Sequence, residues 1–325
     1  MSFPLFHRPG SVVFLDDDPD YLEILAMVLP AKWYLRMFMR PAQCIYHLHR
    51  EPHRWEQDRW SQQTMVDLWR QGKPLIPQIL QYWARTPERH ALTHVCVVDF
   101  SMPGMDGLQA LSELTDWPGA RILLTGQADE RVAVGAFNRG LIDQYIPKQN
   151  PDVAARLTEA IETLCDRPHE QHNAIWRSTL RPDQVDLLAT PDVAQALRQF
   201  ASRQWVEYVV IGQPFGVLGM NAHGQVSWLQ METREGLSAM AELAELQGMD
   251  AHGLQEIRKG RCLVPLEVRQ SLTLPGPGKP LPALWPAGDG RLLAALYELP
   301  ASALPAPLLG HQEWLAMQPR HRIHD

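Results

Sequence analysis

Four short apolar runs in this chain each end on a residue able to do chemistry. Val12-Val13-Phe14-Leu15 runs into Asp16-Asp17-Asp18, and Val95-Cys96-Val97-Val98 runs into Asp99. Arg121-Ile122-Leu123-Leu124 ends at Thr125, and Gln144-Tyr145-Ile146-Pro147 ends at Lys148. Carboxylates gathered in one cleft repel one another, and a hard divalent cation with oxygen ligands relieves that repulsion; Mg2+ fits best. With the charge neutralised, one carboxylate can attack a phosphoryl group in line while a hydroxyl and an ammonium hold the transferred oxygens. Asp16, Asp17, Asp99, Thr125 and Lys148 therefore form a complete set for making an aspartyl phosphate.

Such a set works only if the four run ends meet. Continuous apolar runs of strand length read as strands buried on both faces, as in a parallel sheet. Helical spacing of apolar residues lies between them, over 21–29, where Pro30 stops it, and near 107–115, 129–139 and 151–165. Alternating strands and helices predict an α/β, doubly wound parallel sheet. In that architecture the carboxyl ends of the strands open on one ligand crevice, which would bring the five residues together.

Residues 11–165 resemble a response-regulator receiver domain, the phosphoacceptor half of bacterial two-component signalling. The motifs that carry the likeness are VVFLDDD, VVDFSMPGMDG, LLTG and YIPK. The resemblance implies a five-stranded sheet and makes Asp99 the phosphoacceptor, served by a histidine kinase or phosphotransfer protein. It implies that Asp16, Asp17, Asp99 and the Ser101 carbonyl hold Mg2+, with Asp18 a bystander. Thr125 and Lys148 take the roles of conformation-reporting hydroxyl and phosphate-pairing cation, and Tyr145 that of the aromatic that swings inward when the threonine moves. Gln127 stands where receivers tune loss of the phosphoryl group, although a solvated loop amide is the simpler reading. Two features depart from the family. Asp17 and Asp99 stand 82 positions apart (99 minus 17), about twice the usual spacing, and Gln149 replaces the proline that commonly follows the lysine.

The extra length falls at about 44–93, where Trp55, Trp60, Trp69 and Trp83 alternate with prolines. This reads as an inserted pair of helices with the tryptophans as their core. His47, His49 and His53 read as surface histidines, with no acid or Cys partner at metal-ligand spacing. The expected organisation is a receiver domain over 1–165, a linker and connecting helix over 166–205, and a smaller mixed α/β output domain over 206–325. In the last, strands at 208–211, 216–220 and 225–229, helices over 234–259 and a late strand at 291–298 are vaguely similar to a PAS domain. The last twenty or so residues read as a loosely held tail.

At 325 residues, 45% hydrophobic and 21% charged, the chain has the composition of a folded protein with about two domains. No apolar run is long enough to span a membrane, so a cytoplasmic protein is expected. Cys44, Cys96, Cys165 and Cys262 form no CxxC pair and are expected to be buried thiols. The output half shows no catalytic set, so no enzymatic activity is expected beyond the receiver's own phosphotransfer and dephosphorylation. Its expected role is protein interaction or ligand sensing, with a homodimer and a downstream protein as partners. The alternative is a transcriptional regulator binding DNA through a helix-turn-helix-like segment near 240–261. A net charge of −7 and the acidic Glu242 and Glu245 weigh against that alternative.

Overall fold

The computed structural model describes residues 2–126, 130–167, 169–284, 290–319 and 322–324. The chain divides into two compact units, each assembled from separate stretches of sequence.

The first unit comprises residues 9–58, 88–167 and 314–325. Its strands lie in the order Arg322–His324, Tyr34–Phe38, Ser11–Leu15, Thr93–Asp99, Ala120–Thr125, Gln144–Pro147, and every pairing is parallel. Five of these form the expected doubly wound sheet. The strand Tyr34–Phe38 escapes the apolar-run criterion because Arg36 interrupts it. The sixth strand corrects the expectation of a loose tail. Residues 311–317 are helical with Trp314 only 1% exposed, and Arg322–His324 pairs with the sheet edge.

Side chains alternate across this sheet, so both faces must be covered. Val12, Phe14, Val95, Val97, Ile122 and Leu124 pack with helix α1 (Pro19–Val28) and with a later helix over Val153–Cys165. Val13, Leu15, Cys96, Val98 and Leu123 face the other way, toward Cys44, Leu48, Ala110, Leu111, Ala133 and Ala136. Helix α1 begins at Asp18, whose carboxylate accepts the amides of Asp20 at 3.0 Å and Tyr21 at 3.1 Å.

The region of the insertion holds α2 (Pro41–His49), α3 (Glu51–Arg70) and α4 (Leu75–Arg85). The unit boundary falls within α3, and residues 59–87 group with the second unit. Leu75, Ile76, Ile79, Leu80 and Trp83 share one helical face, and they bury it in a core with Val209, Leu218, Met220 and Trp228. The insertion's tryptophans are thus not a private core of their own: Trp55 and Trp83 are buried in different units, while Trp60 is 63% exposed. The histidine reading also needs correction, because His47 has an acidic partner one turn on. The Glu51 carboxylate is 1% exposed, with His47 Nε2 at 3.5 Å and Arg36 Nη1 at 3.8 Å. It accepts the Thr93 hydroxyl at 2.7 Å, the Thr93 amide at 3.0 Å and the Trp117 indole N–H at 3.3 Å.

Helices α5 (Gly107–Ser112), α6 (Glu130–Asn138) and α7 (Val153–Cys165) complete the first unit.

The second unit comprises residues 1–8, 59–87 and 168–313. Its sheet is antiparallel throughout, in the order Phe6–His7, Glu207–Gly212, Phe215–Met220, Val226–Glu232, Leu293–Glu298. The expected strands at 216–220 and 225–229 form a hairpin through a turn at 221–224. Asn221 Oδ1 accepts the amides of His223 and Gln225, and Gly224 supplies the φ of +78°. Two glycines of the central strand make room for indoles: a Cβ at Gly219 would stand 2.3 Å from the Trp205 ring, and one at Gly216 would stand 2.3 Å from the Trp228 ring.

The stretch expected to hold a linker and a connecting helix contains the helix, α10 (Pro191–Gln204), but its linker part folds into two more, α8 (Glu170–Arg177) and α9 (Pro182–Ala189). Trp176 is fully buried among Val209, Ile211 and Trp228, while Leu188, Val193, Ala194 and Leu197 cover the opposite sheet face with Val210, Val217 and Leu229. A polar sequence hides this because each short helix contributes only a few apolar contacts. Helices α11 (Leu237–Leu246), α12 (Ala251–Arg258) and α13 (Leu266–Ser271) follow the hairpin strands. Three of the four cysteines are buried, and Cys165 is partly exposed.

Candidate functional site

The four strand ends converge as the parallel sheet requires. Oxygen atoms of Asp16, Asp17 and Asp99 all lie within 4.8 Å of one another. Asp16 and Asp99 are buried and Asp17 is exposed. Lys148 Nζ bridges the two buried acids, 2.6 Å from Asp16 Oδ2 and 2.9 Å from Asp99 Oδ1. The other Asp16 oxygen accepts the Asp18 amide at 3.1 Å.

Burial raises the Asp16 carboxyl above its ordinary range, against the opposing hydrogen bond and charge of Lys148. Burial alone would lower the Lys148 ammonium, yet its hydrogen bonds and charge interactions with Asp16 and Asp99 together raise it. One lysine therefore faces three carboxylates, leaving an excess of negative charge among oxygen donors. That donor set fits Mg2+, a hard cation bound through carboxylates. Ser101 stands two residues beyond Asp99, exposed.

Thr125 ends the strand next to that of Asp99. The residue is 1% exposed, and its hydroxyl has no hydrogen-bond partner among the described residues. A buried hydroxyl left unpaired costs roughly 1–3 kcal/mol, which an incoming acceptor would recover. The Thr125 carbonyl accepts the Lys148 amide at 2.9 Å, fixing the lysine backbone beside it although no proline follows. Tyr145 lies opposite Leu123 on the neighbouring strand, on the face that Thr125 shares, and packs half-buried against that core. Gln127 lies outside the described residues.

The loop after Asp99 explains its own sequence. Gly104 adopts φ of +80°, the left-handed region that favours glycine. Asp106 caps α5 by accepting the Gln109 amide at 2.8 Å, and Gln109 Oε1 accepts the Asp106 amide at 3.1 Å. A Cβ on Gly107 would stand 2.2 Å from the Asp99 carbonyl oxygen, so α5 can start against the phosphoacceptor candidate's backbone only with glycine there.

Sequence reasoning missed one residue of the site. Lys148 Nζ lies 4.7 Å from the centre of the Tyr21 ring, a cation–π contact. Tyr21 sits one turn into α1 and four residues after Asp17, where amphipathic spacing marks it only as a packing position.

No family model matches the sequence, and no curated protein matches it. The chain is similar to the solved structure of the Legionella pneumophila response regulator LqsR. The two are 23% identical with a TM-score of 0.71, and the match covers 98% of each chain. That likeness shows a shared fold for both sheets. A response regulator receiver domain from Clostridium thermocellum (17% identity, 49% of this chain, 95% of that chain) has a TM-score of 0.32. One from Methanospirillum hungatei (16% identity, 51% of this chain, 98% of that chain) has a TM-score of 0.31. Scores at that level add nothing to the fold assignment. Among the described residues, no helix is long and apolar enough to cross a membrane.

Proposed function

We propose that this chain is a response regulator that accepts a phosphoryl group on Asp99 from a histidine kinase or phosphotransfer protein in the bacterial cytoplasm. The carrying observation is the Asp16, Asp17 and Asp99 cluster with Lys148 bridging it and the unpaired hydroxyl of Thr125 one strand away.

In this reading an Asp99 carboxylate oxygen forms the new O–P bond as the P–N bond of a phosphohistidine breaks, and the departing imidazole keeps the electron pair and takes a proton. Lys148 moves its charge toward the incoming phosphoryl oxygens, and Thr125 donates its hydroxyl to another. Mg2+, held by Asp16, Asp17, Asp99 and the Ser101 carbonyl, would offset the negative charge gathered at the transfer. Asp16 and Asp17 hold that cation and do not react. Thr125, drawn toward the new dianion, vacates space on a face that Tyr145 shares, which gives a two-state pair for the signal to bias. The chain acts on no substrate but its own phosphoryl group.

The output is protein interaction or ligand sensing by the antiparallel unit, with homodimer formation supported by the exposed Val132, Val134 and Phe137 on α6. The DNA-binding alternative is disfavoured by the surroundings of its candidate recognition helix. Leu254 and Ile257 of α12 are buried in the core, as that motif also requires, so its exposed charges decide. Arg258 pairs with Glu245 at 3.8 Å, and Lys259 and Arg261 pair with Glu256 at 3.9 and 3.4 Å. Those acids offset the charge that phosphates would need.

Acetyl phosphate with Mg2+ should yield one acid-stable, base-labile adduct, visible by intact mass, that is absent in Asp99→Asn and abolished by chelation. The same adduct in Asp99→Asn would overturn the assignment. Enrichment of one DNA sequence by the phosphorylated protein, lost on Arg258→Glu with Lys259→Glu, would favour the alternative.

A further inference from the structure

The second unit contains a half-open cavity of about 310 Å3, at the small end of the roughly 300–1,000 Å3 typical of small-molecule sites. Its walls come from five places in the sequence, one of them Arg181 at the start of α9. The hairpin turn supplies Gly212, Gln213 and Phe215, the end of the next strand supplies Gln230 and Glu232, α11 supplies Met240 and Leu243, and the segment entering α13 supplies Leu266 and Glu267. The hairpin wall is held from behind. Gln184 Nε2 donates to the Gly212 carbonyl at 2.9 Å, the Gly212 amide donates to Thr179 Oγ1, and a Cβ at Gly212 would stand 2.1 Å from the Thr179 carbonyl oxygen. Such a wall is formed before any ligand arrives.

The charge on the lining does not balance. Glu232 and Glu267 both border the cavity, and among the described residues the one basic side chain lining it is Arg181. Its guanidinium is already engaged two-pronged by Asp183, with Nε to Oδ1 at 3.1 Å and Nη2 to Oδ2 at 3.0 Å. Burial raises both carboxyls; it is opposed at Glu232 by the Thr233 amide, which donates to Oε1 at 2.8 Å, and then by Arg181, and at Glu267 by Arg181. Apart from the amides of Gln213 and Gln230, the remaining side chains are apolar, with Phe215 the aromatic among the residues named.

We propose that this cavity binds a small organic amine carrying an apolar, ring-sized group, its ammonium against Glu232 and Glu267 and its body against Phe215, Met240 and Leu266. A cation supplies the charge that the lining lacks, an anion meets two carboxylates that Arg181 offsets only in part, and an aromatic wall favours a cation further. The antiparallel unit then receives a chemical input of its own, separate from phosphorylation at the other sheet.

The test is calorimetric titration of the full, unphosphorylated chain with phenethylamine, 2-phenylethanol and phenylacetate, three molecules of nearly one shape and differing charge. Phenethylamine should bind one site per chain, the alcohol at least about tenfold more weakly, and phenylacetate not at all. Glu232→Gln with Glu267→Gln should weaken phenethylamine at least about tenfold. Leu243→Trp should block the cavity while leaving both carboxylates in place, and it decides the matter if the double variant fails to fold. The proposal is overturned if phenylacetate binds as tightly as phenethylamine, if affinity survives Leu243→Trp, or if phenethylamine shows no binding at millimolar concentration. None of these readouts depends on Asp99, so their failure leaves the phosphorylation reading intact.

Discussion

The two sheets of this protein place functional side chains by opposite rules. In the parallel sheet every strand runs the same way, so Asp16, Asp99, Thr125 and Lys148, far apart in sequence, all arrive at one edge. In the antiparallel sheet successive strands reverse, so any one end collects a turn, a strand terminus and helix entries, as around the cavity at Gln213, Glu232 and Glu267. A parallel sheet therefore writes its site as a repeated pattern, an apolar run followed by a reactive residue, whereas an antiparallel one scatters its site among unrelated local contexts.

If strand-end convergence is what makes the first site, removing its single bridging cation should have the largest effect. Lys148→Ala should slow adduct formation from acetyl phosphate by about a hundredfold or more, followed by mass spectrometry, while phenethylamine binding stays unchanged. A parallel loss of amine binding would break the separation between the two regions.

Next in size is the buried polar anchor of the first unit. Glu51→Ala leaves the Thr93 amide and hydroxyl and the Trp117 indole without their acceptor, and should cost about 3 kcal/mol in urea unfolding. Burial would raise this carboxyl, but hydrogen bonds from His47 and Thr93 outweigh it and hold the group below its ordinary value of 4.5. A depressed folded value means that the stabilisation is complete above about pH 4.5 and fades as the pH falls through the folded value. The gap between parent and variant should therefore narrow in acid, and a gap that widens there would refute the assignment.

The second unit depends instead on indoles laid over glycine. Gly219→Ala puts a methyl group into the Trp205 ring and should destabilise by about 2 kcal/mol, accompanied by a shift in tryptophan fluorescence. The smallest effect sharpens the assignment of the acidic triplet. Asp18→Ala removes only a helix cap and should cost about 1 kcal/mol in melting while phosphorylation proceeds as in the parent. Loss of phosphorylation in that variant would move Asp18 from the helix to the site.

Much of the first unit was legible because burial on both faces forces long apolar runs, and the acid, hydroxyl and lysine at their ends stand out against them. The strand Tyr34–Phe38 was not, since Arg36 breaks the run. That arginine is tolerated because its guanidinium lies over the Tyr34 ring at 4.9 Å and close to Glu51, neither of which local periodicity can foresee. Tyr21 stayed hidden for a related reason: its contact with Lys148 joins residues 127 positions apart (148 minus 21).

Local patterning by itself determined the chemistry on offer, the α/β alternation, the strands on either side of residues 221–224 and the helix stop at Pro30. These depend on backbone preference and on burial within a few residues, which neighbouring side chains encode directly. Only the tertiary structure decided that residues 1–8 and 59–87 group with the antiparallel unit, that the C-terminal strand closes the edge of the parallel sheet, and that Glu51, Tyr21 and Glu232 have the surroundings they do. An apolar face specifies that it must be covered without specifying by what. The choice of cover is made by the shape and polarity of distant segments, and no single stretch of this chain carries that information.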